Sequence, residues 1–392
     1  MKPKNVDKVR YEYFGGIAEV DDPPTLAFVD KTYMKELGYK NSLLWDGEDK
    51  YLSAPTEVHF SITNKCPLDC SYCAADSGEA LSQELTTAEL KEAIDVLVEM
   101  NVFHVALGGG EIFERSDAIE IAEYCRTKGI VPNCTINGYY MNPDLAQQCR
   151  IFGQINVSLD GIGENYNINR DTTNIFNKAD KAIRMLVEAG NSVGINTVIT
   201  RKNFDLLEEV VQYADKLNLK EVLFLRLKPA GRGRDVYVRY CTTHKQNKEF
   251  FPRLLKWAEK YSPNLQIDCS LVPHICYHEP SKEIMNLFGI EGCTGANVLL
   301  GVRPDGYINA CSHYPEYYQN IFQLPEMWNK DQHFTLFRER EITDVSCTEC
   351  SYFSICRGGC PLFSLFLKDD FNVPDPECPV LLEKKEQKVE LL

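Results

Sequence analysis

The sequence predicts an α/β protein: a partial (β/α)6 barrel followed by a small cysteine-rich domain. Two observations carry this. Between residues 57 and 261 short apolar runs alternate with amphipathic segments, the pattern of repeated βα units around a parallel sheet. Beyond about residue 262 that rhythm is lost and cysteines accumulate, which suggests a unit organised by metal rather than by an apolar core.

The elements follow in order. Strands are expected over 57–62, 102–107, 130–136, 154–159, 193–200 and 221–226. After the first, Thr86 and Glu89 form a capping box, and Leu90, Ile94 and Leu97 then recur on one helical face. Before the fifth, Phe176, Ala179, Ile183 and Leu186 make a stripe that stops at Gly190, a residue suited to the left-handed position after a helix. Six such units close only part of a barrel, and function is expected at the C-terminal ends of the strands. The resulting division is 1–54, an N-terminal extension with no assigned fold; 55–261, the barrel; and 262–392, a bridging region plus the cysteine-rich domain.

With 392 residues and 44% apolar content, the chain can bury a substantial core. A net charge of −15 argues against a nucleic-acid partner, since phosphate binding needs a basic stripe; Arg232 and Arg234 are a short, isolated cluster. No apolar stretch approaches the roughly 20 residues of a membrane span, and Met1-Lys2-Pro3-Lys4 leads into charged sequence, so a cytoplasmic protein is expected. There thiols stay reduced. Sixteen cysteines therefore point to metal ligation or redox chemistry, with Cys125 and Cys149, on apolar helix faces, read as plain core residues.

The first strand runs into Cys66, Cys70 and Cys73, a CxxxCxxC loop. Three thiolates from one loop can cap three irons of a cubane and leave the fourth open; a structural zinc, the alternative, wants four protein ligands. Gly109-Gly110-Glu111 follows the second strand, and Ser158-Leu159-Asp160-Gly161 ends the fourth. Glycines admit close backbone approach, and a carboxylate suits an ammonium group.

The stretch from Cys66 to Cys73 resembles the signature of radical S-adenosylmethionine enzymes, and the two later segments resemble that family's GGE and SLDG motifs in order. The resemblance implies a 4Fe-4S cluster on Cys66, Cys70 and Cys73 whose open iron is chelated by S-adenosyl-L-methionine. It implies further that Gly109, Gly110 and Glu111 hold the methionine amino group, that Ser158 and Arg170 contact the carboxylate or ribose, and that Tyr72 packs near the adenine. The fifth strand, Gly194 to Val198, would wall that base.

Farther on, Cys293, Gly306 and Cys311 are followed by Cys347, Cys350, Cys356 and Cys360 with intervening gaps of two, five and three residues, and then by Cys378. This order resembles the SPASM domain, which carries two auxiliary 4Fe-4S clusters; paired zinc ribbons are the alternative. By the resemblance Cys347, Cys350, Cys356 and Cys378 hold auxiliary cluster II, while Cys293, Cys311 and Cys360 hold cluster I. Three ligands leave one iron of cluster I free for a substrate cysteine, unless Cys269 or Cys276, just upstream, closes it.

A peptide maturase follows as the expected function: a 5′-deoxyadenosyl radical oxidises or crosslinks a ribosomally made precursor peptide, with flavodoxin or ferredoxin as electron donor. The general base is unassigned, His313 being the candidate. A sulfatase-maturase-like enzyme forming formylglycine would have an aspartate where Ser312 stands. A small-molecule radical enzyme and a non-catalytic iron-sulfur carrier are further alternatives.

Overall fold

The computed structural model describes residues 6–21, 24–47, 50–168, 175–317 and 319–390. An N-terminal antiparallel sheet comes first, with strands β1 (Val6–Glu12), β2 (Gly15–Asp21) and β3 (Pro24–Asp30), followed by helix α1 (Lys31–Glu36).

The six expected strands are all present: β4 (Glu57–Thr63), β5 (His104–Gly109), β6 (Val131–Ile136), β7 (Ile155–Ser158), β8 (Val193–Ile199) and β9 (Glu221–Arg226). They lie side by side in sequence order, all parallel. The chain beyond residue 262 adds to both edges. β10 (Asn264–Ile267) pairs in parallel with β9, and β11 (Leu299–Val302) pairs in parallel with β4. Two short antiparallel strands, β12 (Tyr307–Asn309) and β13 (Gln319–Asn320), finish that edge.

Helices α2 (Thr87–Glu99), α3 (Ala118–Thr127), α4 (Pro143–Gln148), α5 (Ile175–Glu188) and α6 (Leu207–Lys216) each connect neighbouring strands, and α7 (Gly233–Tyr240) and α8 (His244–Lys260) span the gap from β9 to β10. The Thr86 and Glu89 side chains cap α2 reciprocally, as the sequence suggests. Leu90, Ile94 and Leu97 of α2 join Val58, Phe60, Val105 and Leu107 of β4 and β5 in one buried core; truncating such a residue costs about 2–5 kcal/mol. Gly190 ends α5 at φ +82°. Because successive side chains on a strand point to opposite faces, the alternate set, including Thr135, Asn156, Asn196 and Glu221, faces away from the helices. They bond to one another: Asn156 Nδ2 donates to Asn196 Oδ1 at 2.8 Å and to Glu221 Oε1 at 3.0 Å, and Asn196 Nδ2 to Thr135 Oγ1 at 3.1 Å. The inner face of the barrel is thus polar.

Two buried ion pairs fix the flanking parts. Arg10 and Glu12, 4% and 1% exposed, pair at 2.7 Å, and Arg10 also donates to the carbonyls of Ala54 and Pro55, seating the N-terminal sheet at the start of β4. At the opposite end of the barrel Arg226, the last residue of β9, pairs with Asp375 at 2.6 Å and Glu377 at 2.7 Å and anchors the C-terminal region. Among the described residues no helix is long and apolar enough to cross a membrane.

Candidate functional site

The three-cysteine loop sits at the C-terminal end of β4, where a parallel barrel gathers its working residues. Its base is closed by the backbone: Cys66 N donates to Gly78 O at 2.8 Å and Gly78 N to Asn64 O at 3.0 Å. Asn137, just past β6, donates its side-chain amide to Cys66 Sγ at 3.7 Å, and Ser77 N donates to Cys73 Sγ at 3.5 Å. Burial, then the Cys70, Glu111 and Cys73 charges, push the Cys66 thiol up to about 11. Such thiols ionise only when a cation compensates them.

The glycine segment is locked to this loop. A side chain at Gly110 would stand 2.1 Å from Lys65 O, and Gly109 lies at φ +111° with Thr63 O 2.4 Å from its would-be Cβ. Only glycine fits either place. Glu111 is 1% exposed, and its carboxylate accepts from the backbone amides of Asn137 at 2.7 Å and Phe113 at 3.4 Å, joining the ends of β5 and β6. Burial raises its pKa to about 7 against those amides.

Ser158 lies half-buried at the end of β7, on the polar face. Two residues on, Asp160 accepts from Val198 N at 2.8 Å and from the Tyr72 hydroxyl, so the cysteine loop is tied to β7 and β8. The Tyr72 ring packs among Leu227, Ala230, Val236, Tyr237 and Phe363. The fifth strand is not the apolar wall expected of it: Ile195 and Thr197 are fully buried, Ile195 in the core shared with the helices, and Asn196 belongs to the hydrogen-bonded inner face. Strand alternation explains this, as it leaves Val198 alone of the apolar pair on the inner side. Arg170 lies outside the described residues.

The C-terminal thiols fall into two groups. Cys347, Cys350, Cys356 and Cys378 line one apolar cavity together with Cys276. Contact with Cys276, and then burial, raises Cys356 far above its usual value, while burial pushes Cys347 and Cys378 up to about 12. Cys293, Cys311 and Cys360 lie within one another's electrostatic field, and Cys269 lies within it too. Burial is the main cause of the raised pKa of Cys269, Cys293 and Cys311; the charges of Cys293 and Cys360 add to it at Cys269, those of Cys360 and Cys311 at Cys293, and those of Cys360 and Cys269 at Cys311. Lys228, held by Asp268 at 2.7 Å and Ser270 at 2.5 Å, lies within their field. His313 Nδ1 is 3.6 Å from Cys311 Sγ; burial and then Lys228 lower its pKa to about 3, so the ring is neutral.

Among the described residues no three His, Cys, Asp or Glu side chains converge closely enough for a single metal ion. A structural zinc takes four Cys or His ligands in a closed tetrahedron, and an iron-sulfur cubane takes Cys thiolates. Grouped buried thiols in apolar surroundings suit the second donor set. Cys125, Cys134 and Cys149 are buried in the core, Cys125 and Cys149 as the sequence indicates.

Sequence reasoning missed Asn137, Lys228 and Arg232. Arg232 had a signal, its place between two glycines in the loop after the sixth strand, and its backbone amide donates to Cys73 O at 3.0 Å.

Residues 60–214 match the family model described as the Radical SAM superfamily. The chain is 30% identical over 339 residues to the mycofactocin maturase MftC of Mycolicibacterium smegmatis, covering 84% of each chain. It is 26% identical over 345 residues to an AdoMet-dependent heme synthase of Methanosarcina barkeri, covering 83% of this chain and 97% of that one. Its fold resembles that of Streptococcus suis SuiB, solved with bound S-adenosylmethionine, at a TM-score of 0.75 and 16% identity over 96% of this chain and 99% of the other. The cysteine loop, its glycine lock and its place on a parallel barrel agree with this likeness, and the chain belongs to the radical SAM superfamily.

Proposed function

We propose that this protein is a peptide maturase that oxidises or crosslinks a ribosomally made precursor. The observation that carries the reading is the meeting of the Cys66, Cys70 and Cys73 loop, the Gly109–Glu111 turn and Ser158 above a polar inner face, in a chain whose relative is named a maturase. When bound, the reduced 4Fe-4S cluster and S-adenosylmethionine supply a 5′-deoxyadenosyl radical; the protein's part is position and dryness.

In this reading Cys66, Cys70 and Cys73 hold the catalytic cluster and leave one iron for the cofactor. Gly109 and Gly110 let the backbone approach the methionine end, Glu111 holds that backbone in place, and Ser158 meets the carboxylate or ribose. Tyr72 acts through Asp160 to orient the loop. Arg170 is assigned to the cofactor by resemblance alone.

Auxiliary cluster II takes Cys347, Cys350, Cys356 and Cys378. Auxiliary cluster I takes Cys293, Cys311 and Cys360, with Cys269 as its fourth ligand, so no iron is left for a substrate cysteine. This reading takes the closed alternative over the open site and favours a pure electron carrier. His313, neutral and against Cys311, is a support for that ligand and a poor base. The net reaction is then an oxidation, with flavodoxin or ferredoxin as donor to the first cluster, in the cytoplasm.

The test is anaerobic incubation of the reconstituted protein with reductant, S-adenosylmethionine and the small peptide encoded beside its gene. Formation of 5′-deoxyadenosine with a loss of two hydrogens from the peptide is expected. Cofactor cleavage that no such peptide stimulates would favour the second reading, a small-molecule substrate, which the heme synthase relative supports.

A further inference from the structure

The segment Gly231-Arg232-Gly233 lies between β9 and α7, far in sequence from the cysteine loop, yet it grips that loop at several points. Arg232 Nε donates to Cys70 O at 2.9 Å and Nη1 to Ser77 O at 2.8 Å, so one guanidinium spans the carbonyls on either side of Cys73. Nη1 also meets Asp76 at 2.9 Å, and the Arg232 backbone amide donates to Cys73 O at 3.0 Å. The glycines make this approach possible. Gly231 sits at φ +50°, and a Cβ there would stand 2.5 Å from Cys73 O; one at Gly233 would stand 2.4 Å from Lys228 O and 3.2 Å from Tyr72 O.

Two features set Arg232 apart from a surface ion pair. Its Nη2 is buried and donates to nothing in the protein. Its Asp partners are exposed, Asp69 at 94% and Asp76 at 64%, so they neutralise it weakly. A rigid fork with a spare buried N–H therefore faces the loop that carries three thiols, and among the described residues its charge is met only by carboxylates on the solvent side.

Resting on the assignment of Cys66, Cys70 and Cys73 to the catalytic cluster, we propose that Arg232 is a positioning residue for that cluster, fixing the loop with its fork and easing reduction with its charge. A positive charge and hydrogen bonds near a cluster stabilise its more negative, reduced form and raise its potential. Lysine would keep the charge and lose the fork; glutamine would keep a donor and lose the charge.

The experiment uses the full chain, reconstituted anaerobically, as wild type, R232K, R232Q, G231A and the Cys66, Cys70 and Cys73 triple alanine variant. Iron content, the midpoint potential of the first cluster followed by paramagnetic resonance, and 5′-deoxyadenosine formation are measured. R232Q should keep the wild-type iron, shift the midpoint to more negative potential and lower cofactor cleavage at least tenfold. R232K should restore the potential but not the full rate. G231A, which pushes the loop from the fork, should lower the rate in the same direction as R232Q. An unchanged potential in R232Q overturns the proposal, as does loss of the first cluster in R232Q and R232K alike, which would make the fork a folding element only. If instead the triple alanine variant keeps the cluster signal and cleavage, the assignment of the loop itself fails, and with a different signature.

Discussion

The two cysteine-bearing regions are built on opposite plans. The first draws three thiols from one loop of eight residues, Cys66 to Cys73, and holds it from outside with glycines, Asp160, Asn137 and Arg232. The second draws its thiols from segments as far apart as Cys269 and Cys378, and no single loop supplies a whole group. A contiguous loop leaves one iron position open by geometry, whereas scattered ligands can surround a cluster. In the proposed reading, the difference separates a site that must admit a cofactor from sites that need only pass electrons.

The sharpest way to break this contrast is to delete each plan in turn. Replacing Cys66, Cys70 and Cys73 by Ala should abolish S-adenosylmethionine cleavage and leave about two thirds of the iron, since one of three clusters is lost; cleavage at the wild-type rate would place the active cluster elsewhere. Next in size, Cys269→Ala should remove auxiliary cluster I or convert it to an open form. Iron would fall toward about two thirds while 5′-deoxyadenosine still forms in the absence of substrate. Unchanged iron and an unchanged paramagnetic resonance spectrum in Cys269→Ala would return cluster I to three ligands and reopen it to a substrate thiol.

Legibility follows the same division. The barrel could be read because each βα unit is local: the Thr86 and Glu89 capping box, the Leu90, Ile94 and Leu97 stripe and the Gly190 stop all form as read. The Cys66 loop could be read because its spacing is contiguous. Spacing gives no sign that Cys269 shares an electrostatic field with Cys293 and Cys360, because the edge strands that carry these segments, β10 on β9 and β11 on β4, are placed by tertiary pairing. Arg232 was read only as part of a short, isolated basic cluster with Arg234, because its contacts with the Cys66 loop are likewise tertiary. The fifth strand was misjudged because composition does not tell which alternate residue faces the helices, and there Ile195 does, while Thr197 is buried and donates its hydroxyl to Leu159 O.

A smaller effect tests the frame of the first site. Glu111 in the folded protein keeps its proton up to about pH 7, because burial opposes ionisation, while in an unfolded chain it ionises near the ordinary glutamate value. The folded state therefore binds the extra proton between these limits, and its stability falls as pH rises through them, by an amount on the order of 3 kcal/mol. Glu111→Gln should flatten this dependence in denaturant titrations at several pH values without cofactor. A slope that survives the substitution would assign it to other groups.

The smallest expected effect concerns Cys276, the fifth thiol of a cavity whose other four the family pattern claims. It is buried on helix α9 (Val272–Cys276) and touches Cys356. If Cys347, Cys350, Cys356 and Cys378 complete a cubane, a fifth thiol beside Cys356 can only support that ligand, through a weak sulfur contact. Cys276→Ala should therefore leave the iron content and cofactor cleavage of the wild type and cost about 1 kcal/mol in thermal or denaturant unfolding, the loss of one buried sulfur from a packed site. Cys276→Ser, which keeps a donor, should differ from Ala in the spectrum of cluster II more than in stability. Loss of one cluster's iron in Cys276→Ala would instead make Cys276 a ligand and displace one of Cys347, Cys350, Cys356 and Cys378. The scattered plan would then be even less contiguous than the spacing of its cysteines implies.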